Sequence, residues 1–345
     1  MKKVNYGVIG VGHLGTFHAQ LAQKIDQINL VGLYDIDTKK AQEVASTCQT
    51  KVFSSLEQLL AQVEAVSIVV PTIHHYQTAL KALEYNCHLF IEKPITSTTS
   101  QARELISLCQ KKKLKLQVGH IERFNPAMLA IKDYPLQPMF IESHRLSQFN
   151  PRGTDVSVIL DLMIHDIDII LHMVKSPLAS IDACGVAVVS DSEDIANVRL
   201  RFANGCVANL TSSRISVRAM RKMRIFQKNQ YIAIDFLKKK SEIFKLEDCD
   251  STTSATGFSM LIDTIGIGEK KKNIIYEQPE VPEVNSLQAE LEEFVQAILL
   301  DREPPVTGEQ GLQALEVATT ILHQIHHPKK TKNFELKIIL DKSQK

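Results

Sequence analysis

The feature that most limits the fold lies at the start of the chain. Val4 to Ile9 is a short, β-rich apolar run. It ends in Gly10-Val11-Gly12-His13-Leu14-Gly15, and a helical pattern follows from Leu14 to Ile25. G-x-G-x-x-G between a strand and a helix has a use for each glycine. The first permits a tight turn, the second lets the backbone approach a pyrophosphate, and the third lets helix and strand pack closely. The helix N-terminus then faces the anion. Asp35 closes a second apolar run, Leu30 to Tyr34, 20 residues after Gly15. A carboxylate there binds both hydroxyls of an adenosine ribose and repels a 2′-phosphate, which favours NAD over NADP. The plainer reading is an unliganded glycine turn with Asp35 capping the helix that begins near Thr38. The joint register of strand, glycines, helix and acid speaks against it. FAD shares the fingerprint and stays as an alternative.

The βα rhythm continues. Thr38 to Cys48 reads as a helix, Ala65 to Val70 as a buried strand closed by Pro71, and His74 to Tyr85 as a helix. His88 to Ile91, Thr98 to Lys113 and Leu114 to Val118 then give strand, helix and strand. Repeated units of this kind build a doubly wound parallel sheet, the Rossmann architecture. Near residue 120 the rhythm changes. Met139 to Leu146, Ile181 to Val189, Asn197 to Phe202, Cys206 to Ser212, Met223 to Phe226 and Gln230 to Asp235 read as strands joined by short turns, hence an antiparallel sheet. Two helices, Ser286 to Leu300 and Gly308 to Ile325, close the pattern. Residues 245 to 285 carry no clear period and read as a loop and edge strands near an oligomer interface or the cleft.

Length and charge narrow the function class. At 345 residues the chain has room for two domains. We place the boundary so that 1–120 is the NAD-binding domain and 121–345 the substrate-binding and oligomerisation domain. Lys plus Arg is 40 against 39 for Asp plus Glu, which argues against a nucleic-acid partner. The longest mostly apolar stretch, Val158 to Val174, holds Asp161, His165, Asp166, Asp168 and His172 and is too polar to cross a membrane. With no signal-peptide h-region before the first glycines and no CxxC pair among six cysteines, a cytoplasmic protein with reduced thiols is expected.

Two features carry chemistry. Glu92-Lys93-Pro94 directly follows the strand His88 to Ile91, which puts Lys93 on the cofactor side of the sheet, with Pro94 restricting it. Alone, a solvated loop lysine is the more economical reading. The second is Val158 to Val174, where Asp161, His165, Asp168 and His172 fall at i, i+4, i+7 and i+11 on one helix face. That stripe reads first as a cleft-lining acid–base set, second as plain amphipathicity, and last as a metal pair from Asp161 and His165. No metal is expected.

Together these residues resemble the Gfo/Idh/MocA family of nicotinamide-dependent sugar dehydrogenases. The likeness rests on Gly10-x-Gly12-x-x-Gly15, Asp35, Val70-Pro71-Thr72-Ile73-His74-His75, Glu92-Lys93-Pro94 and Asp161-x-x-x-His165-Asp166. It implies a Rossmann domain followed by an α/β domain with a large, mostly antiparallel sheet that mediates homodimers or homotetramers. It also implies that Lys93, Asp161 and His165 meet at the nicotinamide, and that Gly10, Gly12, His13, Leu14, Gly15, Asp35, Pro71, Thr72, His75, Glu92 and Lys93 hold NAD. The family usually has Gly where this chain has Cys87, so the local turn is expected to differ with the chemistry intact. The segments from Val118 to Ala127 and from Arg152 to Asp161 look like the UDP-N-acetylglucosamine 3-dehydrogenase subgroup. That likeness implies a nucleotide-sugar substrate touched by Arg123, Asn125, Arg152, Lys93 and His165, and a partner aminotransferase that takes the keto product in 2,3-diamino-sugar synthesis. For Arg123, a salt bridge at the domain junction is an equal alternative. On this reading His165 is the base, Lys93 stabilises the oxyanion, Asp161 orients His165 or binds a neighbouring hydroxyl, and Asp168 anchors the helix. The alternatives are a dehydrogenase of free sugars or inositol, a non-catalytic NAD- or sugar-sensing regulator, and a metal-dependent hydrolase.

Overall fold

The computed structural model describes residues 2–150, 156–248, 258–266 and 271–328. Six parallel strands form the first sheet. They are β1 (Val4–Ile9), β2 (Ile28–Tyr34), β3 (Lys51–Val52), β4 (Ala65–Ile68), β5 (His88–Glu92) and β6 (Leu116–Gly119), in spatial order β3-β2-β1-β4-β5-β6. The order reverses between β1 and β4, and a crevice opens there at the carboxyl ends of the strands. Helices α1 (His13–Ala22), α2 (Thr38–Thr47), α3 (Leu56–Leu60), α4 (Thr72–Glu84) and α5 (Thr99–Lys112) connect the strands. The short β3 and α3 have too little periodicity to be read from sequence. The turn before β5 falls on Asn86 at φ +59°, and Cys87 beside it is buried.

The second sheet has nine strands. They are β7 (Phe140–Leu146), β8 (Leu178–Val186), β9 (Ile195–Phe202), β10 (Val207–Ser213), β11 (Met220–Gln227), β12 (Gln230–Asp235), β13 (Lys240–Asp248), β14 (Phe258–Ile265) and β15 (Lys272–Gln278). Their order is β14-β15-β13-β12-β11-β7-β10-β9-β8, antiparallel except for the β7–β10 pair. One face is the floor of an apolar core with Ile141, Met223, Ile225, Ile232 and Ile243. Against it lie α6 (Pro126–Leu129) and α7 (Ile164–Val174), the latter entered through a π-helical turn at Ile159–Met163.

Two late helices join the sheets. In α8 (Ser286–Leu299), Phe294 packs edge-on against Tyr6 of β1 and Phe90 of β5. Helix α9 (Gly308–His326) starts against β6, where a Cβ on Gly311 would lie 2.5 Å from Val118. Its later residues Val317, Ala318 and Ile321 belong to the core beneath the larger sheet. Thus the loops after β5 and β6 and the start of α7 are held at one junction.

Candidate active site

The loop after β1 is shaped by its glycines. Gly10 has φ +86°, and a Cβ there would meet the Val69 carbonyl oxygen at 2.6 Å. A Cβ on Gly15 would overlap the Gly10 carbonyl oxygen, so α1 reaches the loop only because that side chain is missing. At Gly12, the N-cap of α1, nothing lies within 4 Å of the Cβ position, which leaves open space before the helix. His13 and Leu14 form the exposed first turn, and no acidic residue there competes for the helix dipole. Asp35 Oδ2 accepts a 2.6 Å bond from Val11 N, tying the acid to the glycine loop. A cleft of about 450 Å³ is lined by Gly10, Gly12, Asp35, Ile36, Pro71 and His74. Free N–H groups for a pyrophosphate, a carboxylate for a ribose and an exposed Ile36 for a base make a donor set that fits a dinucleotide.

Pro71 caps α4 and Thr72 opens it. His75 is buried, with Nδ1 2.9 Å from Pro94 O and Nε2 2.9 Å from Val70 O. In its neutral form the ring donates to one of these two carbonyls, between the loops after β4 and β5, while the neighbouring His74 lines the cleft.

Lys93 stands just beyond β5 and precedes a cis bond to Pro94. Its Nζ donates to the Asp161 carbonyl oxygen at 2.7 Å and lies 3.3 Å from Asp161 Oδ1. Asp161 sits in the π-helical turn and its side chain is 45% exposed. His165, in the first turn of α7, is the sheltered member of the group. Its Nδ1 is buried without a hydrogen-bond partner among the described residues, and the buried His120 ring stands perpendicular to it at 6.4 Å. Burial first, and then the charges of Lys93 and Arg145, hold His165 well below its ordinary pKa of 6.5. The imidazole is therefore neutral at pH 7.

Glu92, behind Lys93, is buried. Its Oε2 accepts from Lys93 N at 3.2 Å and its Oε1 lies 3.0 Å from His18 Nε2. The chain continues through Ser67 to the Tyr6 hydroxyl, with contacts of 3.0 and 2.7 Å. A Cβ on Gly119 would come within 2.9 Å of the Glu92 carboxylate, so a larger residue there on β6 would have to displace it.

The one-face stripe expected from Asp161 to His172 divides in two. Asp161 meets Lys93, whereas Asp168 and His172 meet Arg123. The π-helical winding at Ile159–Met163 breaks the 3.6-residue period on which the expectation rested. Arg123 Nε and Nη2 grip Asp168 at 2.7 and 2.5 Å, and Nη1 donates to Gln310 Oε1 at 2.9 Å. Asn125 is buried too. Its Oδ1 accepts from Ala127 N and its Nδ2 donates to Glu122 and the Phe236 carbonyl. Both residues therefore have their polar groups engaged within the protein, Arg123 in the junction salt bridge that was its alternative reading. Arg152 lies outside the described residues.

Sequence reasoning overlooked the largest buried charge. Arg145, fully buried on β7, forks onto Asp166 at 2.8 to 3.1 Å and reaches Glu122 at 2.6 Å. A signal existed, since Arg145 shares the inward register of Ile141 and Ser143, and Asp166 is the one charge on the apolar side of α7. Glu290 on α8 was also missed. It is fully buried, and neither carboxylate oxygen has a hydrogen-bond partner among the described residues. Burial first, reinforced by the charges of Glu92 and Asp168, pushes its pKa well above the ordinary carboxylate value.

This pairing of a dinucleotide crevice with a lysine, aspartate and histidine group defines a nicotinamide-dependent oxidoreductase, and comparison with known proteins gives its family. Residues 4–120 match the Gfo/Idh/MocA oxidoreductase family, NAD-binding Rossmann fold, and residues 134–232 match the GFO/IDH/MocA C-terminal domain. The chain belongs to the Gfo/Idh/MocA family, and its first domain binds NAD. It is 37% identical to UDP-N-acetylglucosamine 3-dehydrogenase of Acidithiobacillus ferrooxidans over 91% of this chain and 95% of that protein. A crystal form of that enzyme superposes with a TM-score of 0.83, covering 94% of this chain and 98% of the other. Levoglucosan dehydrogenase in complex with NADH, 16% identical, shares the fold at a TM-score of 0.79, covering 94% of this chain and 97% of that one. No helix among the described residues is long and apolar enough to cross a membrane.

Proposed function

We propose that this oxidoreductase converts the 3-hydroxyl of UDP-N-acetylglucosamine to a ketone, giving UDP-3-keto-N-acetylglucosamine. The observation that carries this reading is the 37% identity to the Acidithiobacillus enzyme, spread over 91% of the chain. NAD⁺, held at the glycine loop and Asp35, would supply the hydride acceptor. His165 takes the hydroxyl proton. With Nδ1 sealed from solvent, Nε2 is the nitrogen left to do so, and its neutral state at pH 7 fits a general base. Lys93 donates to the substrate oxygen and stabilises its developing negative charge. Asp161 holds the Lys93 ammonium in place through its carbonyl and carboxylate. Glu92 fixes the lysine backbone from behind. Arg123 and Asn125 serve as posts of the domain junction.

A keto amino sugar is the natural feed for an aminotransferase, so we place the enzyme in cytoplasmic 2,3-diamino-sugar synthesis of the lipid A type, acting as a homodimer or homotetramer. The test is NADH formation from NAD⁺ and UDP-N-acetylglucosamine. Glutamate and a sugar-nucleotide aminotransferase are added to draw off the ketone. UDP-glucose, free N-acetylglucosamine and myo-inositol run beside it. Turnover confined to the UDP-amino sugar supports the assignment. Turnover with a free polyol alone overturns the substrate while keeping the chemistry.

A further inference from the structure

A nucleotide sugar carries its diphosphate one sugar ring away from a reacting C3. Its site therefore needs a cation near the proton acceptor but free of other partners. Most cations around His165 are taken. Lys93 is held by Asp161, Arg123 by Asp168 and Gln310, and Arg145 by Asp166 and Glu122. Arg214 donates to the Val156 and Glu193 carbonyls and pairs with Asp194 at 3.4 Å.

Arg221 differs. It lies on β11, directly across from Arg145 on β7. It shares its face with Met223 and Ile225, which pack beneath α7, so it stands at the end of the same face as His165. Its side chain is 43% exposed, and its ion pair is a 3.4 Å contact from Nη1 to Glu122 Oε1. That oxygen already accepts a 2.6 Å bond from Arg145, and Glu122 Oε2 accepts from Asn125 at 3.0 Å. Glu122 keeps both partners when Arg221 turns away. Arg221 is also one of the charges that hold His165 neutral, which sets it within electrostatic range of the reacting end.

We propose that Arg221 is the residue that binds the diphosphate, swinging from Glu122 to the phosphate oxygens of a nucleoside-diphosphate sugar. This rests on the nucleotide-sugar reading above and names the cation that makes the site selective. The sequence points to Arg123 and Arg152 for this role; Arg152 lies outside the described residues, and among the guanidiniums named above Arg221 is the one not already gripped.

The experiment uses UDP as the probe. Its binding to the NADH-loaded enzyme is measured by titration calorimetry for the wild type, Arg221→Met and Arg221→Lys. Losing a charge-assisted bond to phosphate weakens UDP binding by about 10- to 100-fold in Arg221→Met, with Arg221→Lys in between. In turnover the KM for the nucleotide sugar rises by more than kcat falls. NADH affinity reports that each variant is folded, and Arg221→Gln, which keeps a donor toward Glu122, replaces Arg221→Met if that variant loses NADH binding. Wild-type UDP affinity in the folded variant overturns the role of Arg221 and leaves the nucleotide-sugar reading standing. A wild-type enzyme that does not bind UDP overturns that reading, and this inference with it.

Discussion

Replacing Arg145 with methionine keeps the length of the side chain and removes the cation between Asp166 and Glu122. The wild-type guanidinium lies 2.8 to 3.1 Å from Asp166 and 2.6 Å from Glu122, and all three groups are buried. At an effective dielectric constant of about 20, each contact at roughly 3 Å is worth about 5 kcal/mol of attraction. Much of that offsets the cost of taking three charges out of water. Breaking such a group from one side costs about 3–5 kcal/mol, because the carboxylates stay behind. Glu122 retains Arg221 and Asn125, so Asp166 bears most of the loss. In the variant Asp166 is left as a buried carboxylate without its cation. Chemical unfolding followed by circular dichroism measures the deficit, and adding Asp166→Asn restores part of it by removing the stranded charge. A deficit under about 1 kcal/mol, or no recovery in the double variant, refutes the account.

Because His165 is held below 6.5, the acid limb of kcat/KM against pH should fall below that value, and Lys93→Met should move it upward while removing most turnover. A wild-type limb at or above 6.5 contradicts the electrostatics described. Asp35→Ala removes the acceptor for Val11 N and for the ribose, so NAD binding weakens by about 10- to 100-fold while NADP loses less. Equal losses for both cofactors in fluorescence titrations tell against Asp35 as the selector. Glu290→Gln removes a carboxyl group whose raised pKa costs stability as pH climbs, so the variant gains on the wild type from pH 5 to pH 8, by about 1–3 kcal/mol. A pH-independent difference in unfolding midpoint shows that the carboxyl is not protonated in the folded state.

The parts of this molecule that were legible in sequence are those set by neighbours along the chain. β1, the glycine turn, α1 and Asp35 each follow from a local rule, and the structure bounds β1 at the residues the pattern predicts, Val4–Ile9. β12 is likewise bounded at Gln230–Asp235. What escaped was set by distant contacts. Nothing local says that β7 and β10 pair in parallel inside an antiparallel sheet. Nor does anything local say that Phe294 returns to pack on Tyr6. In β14 every residue is exposed, so no buried face imposes a period and the strand could not be read.

The arginines show where that boundary falls for function. On composition and motif alone, Arg123 looks the better ligand for an anion, since it sits beside the loop after β6 and next to Phe124-Asn125-Pro126. Its availability is decided elsewhere, by Asp168 on α7 and Gln310 on α9, both of which reach it only through the fold. Arg221 has no motif around it. Its freedom comes from a carboxylate that Arg145 and Asn125 already satisfy, from β7 and from the loop before α6. A guanidinium gripped by two partners must break charge-assisted bonds before it can meet a phosphate, whereas one held at 3.4 Å gives up little. Residue type gives a chain its possible ligands; the partners that packing supplies decide which of them remain open to a substrate.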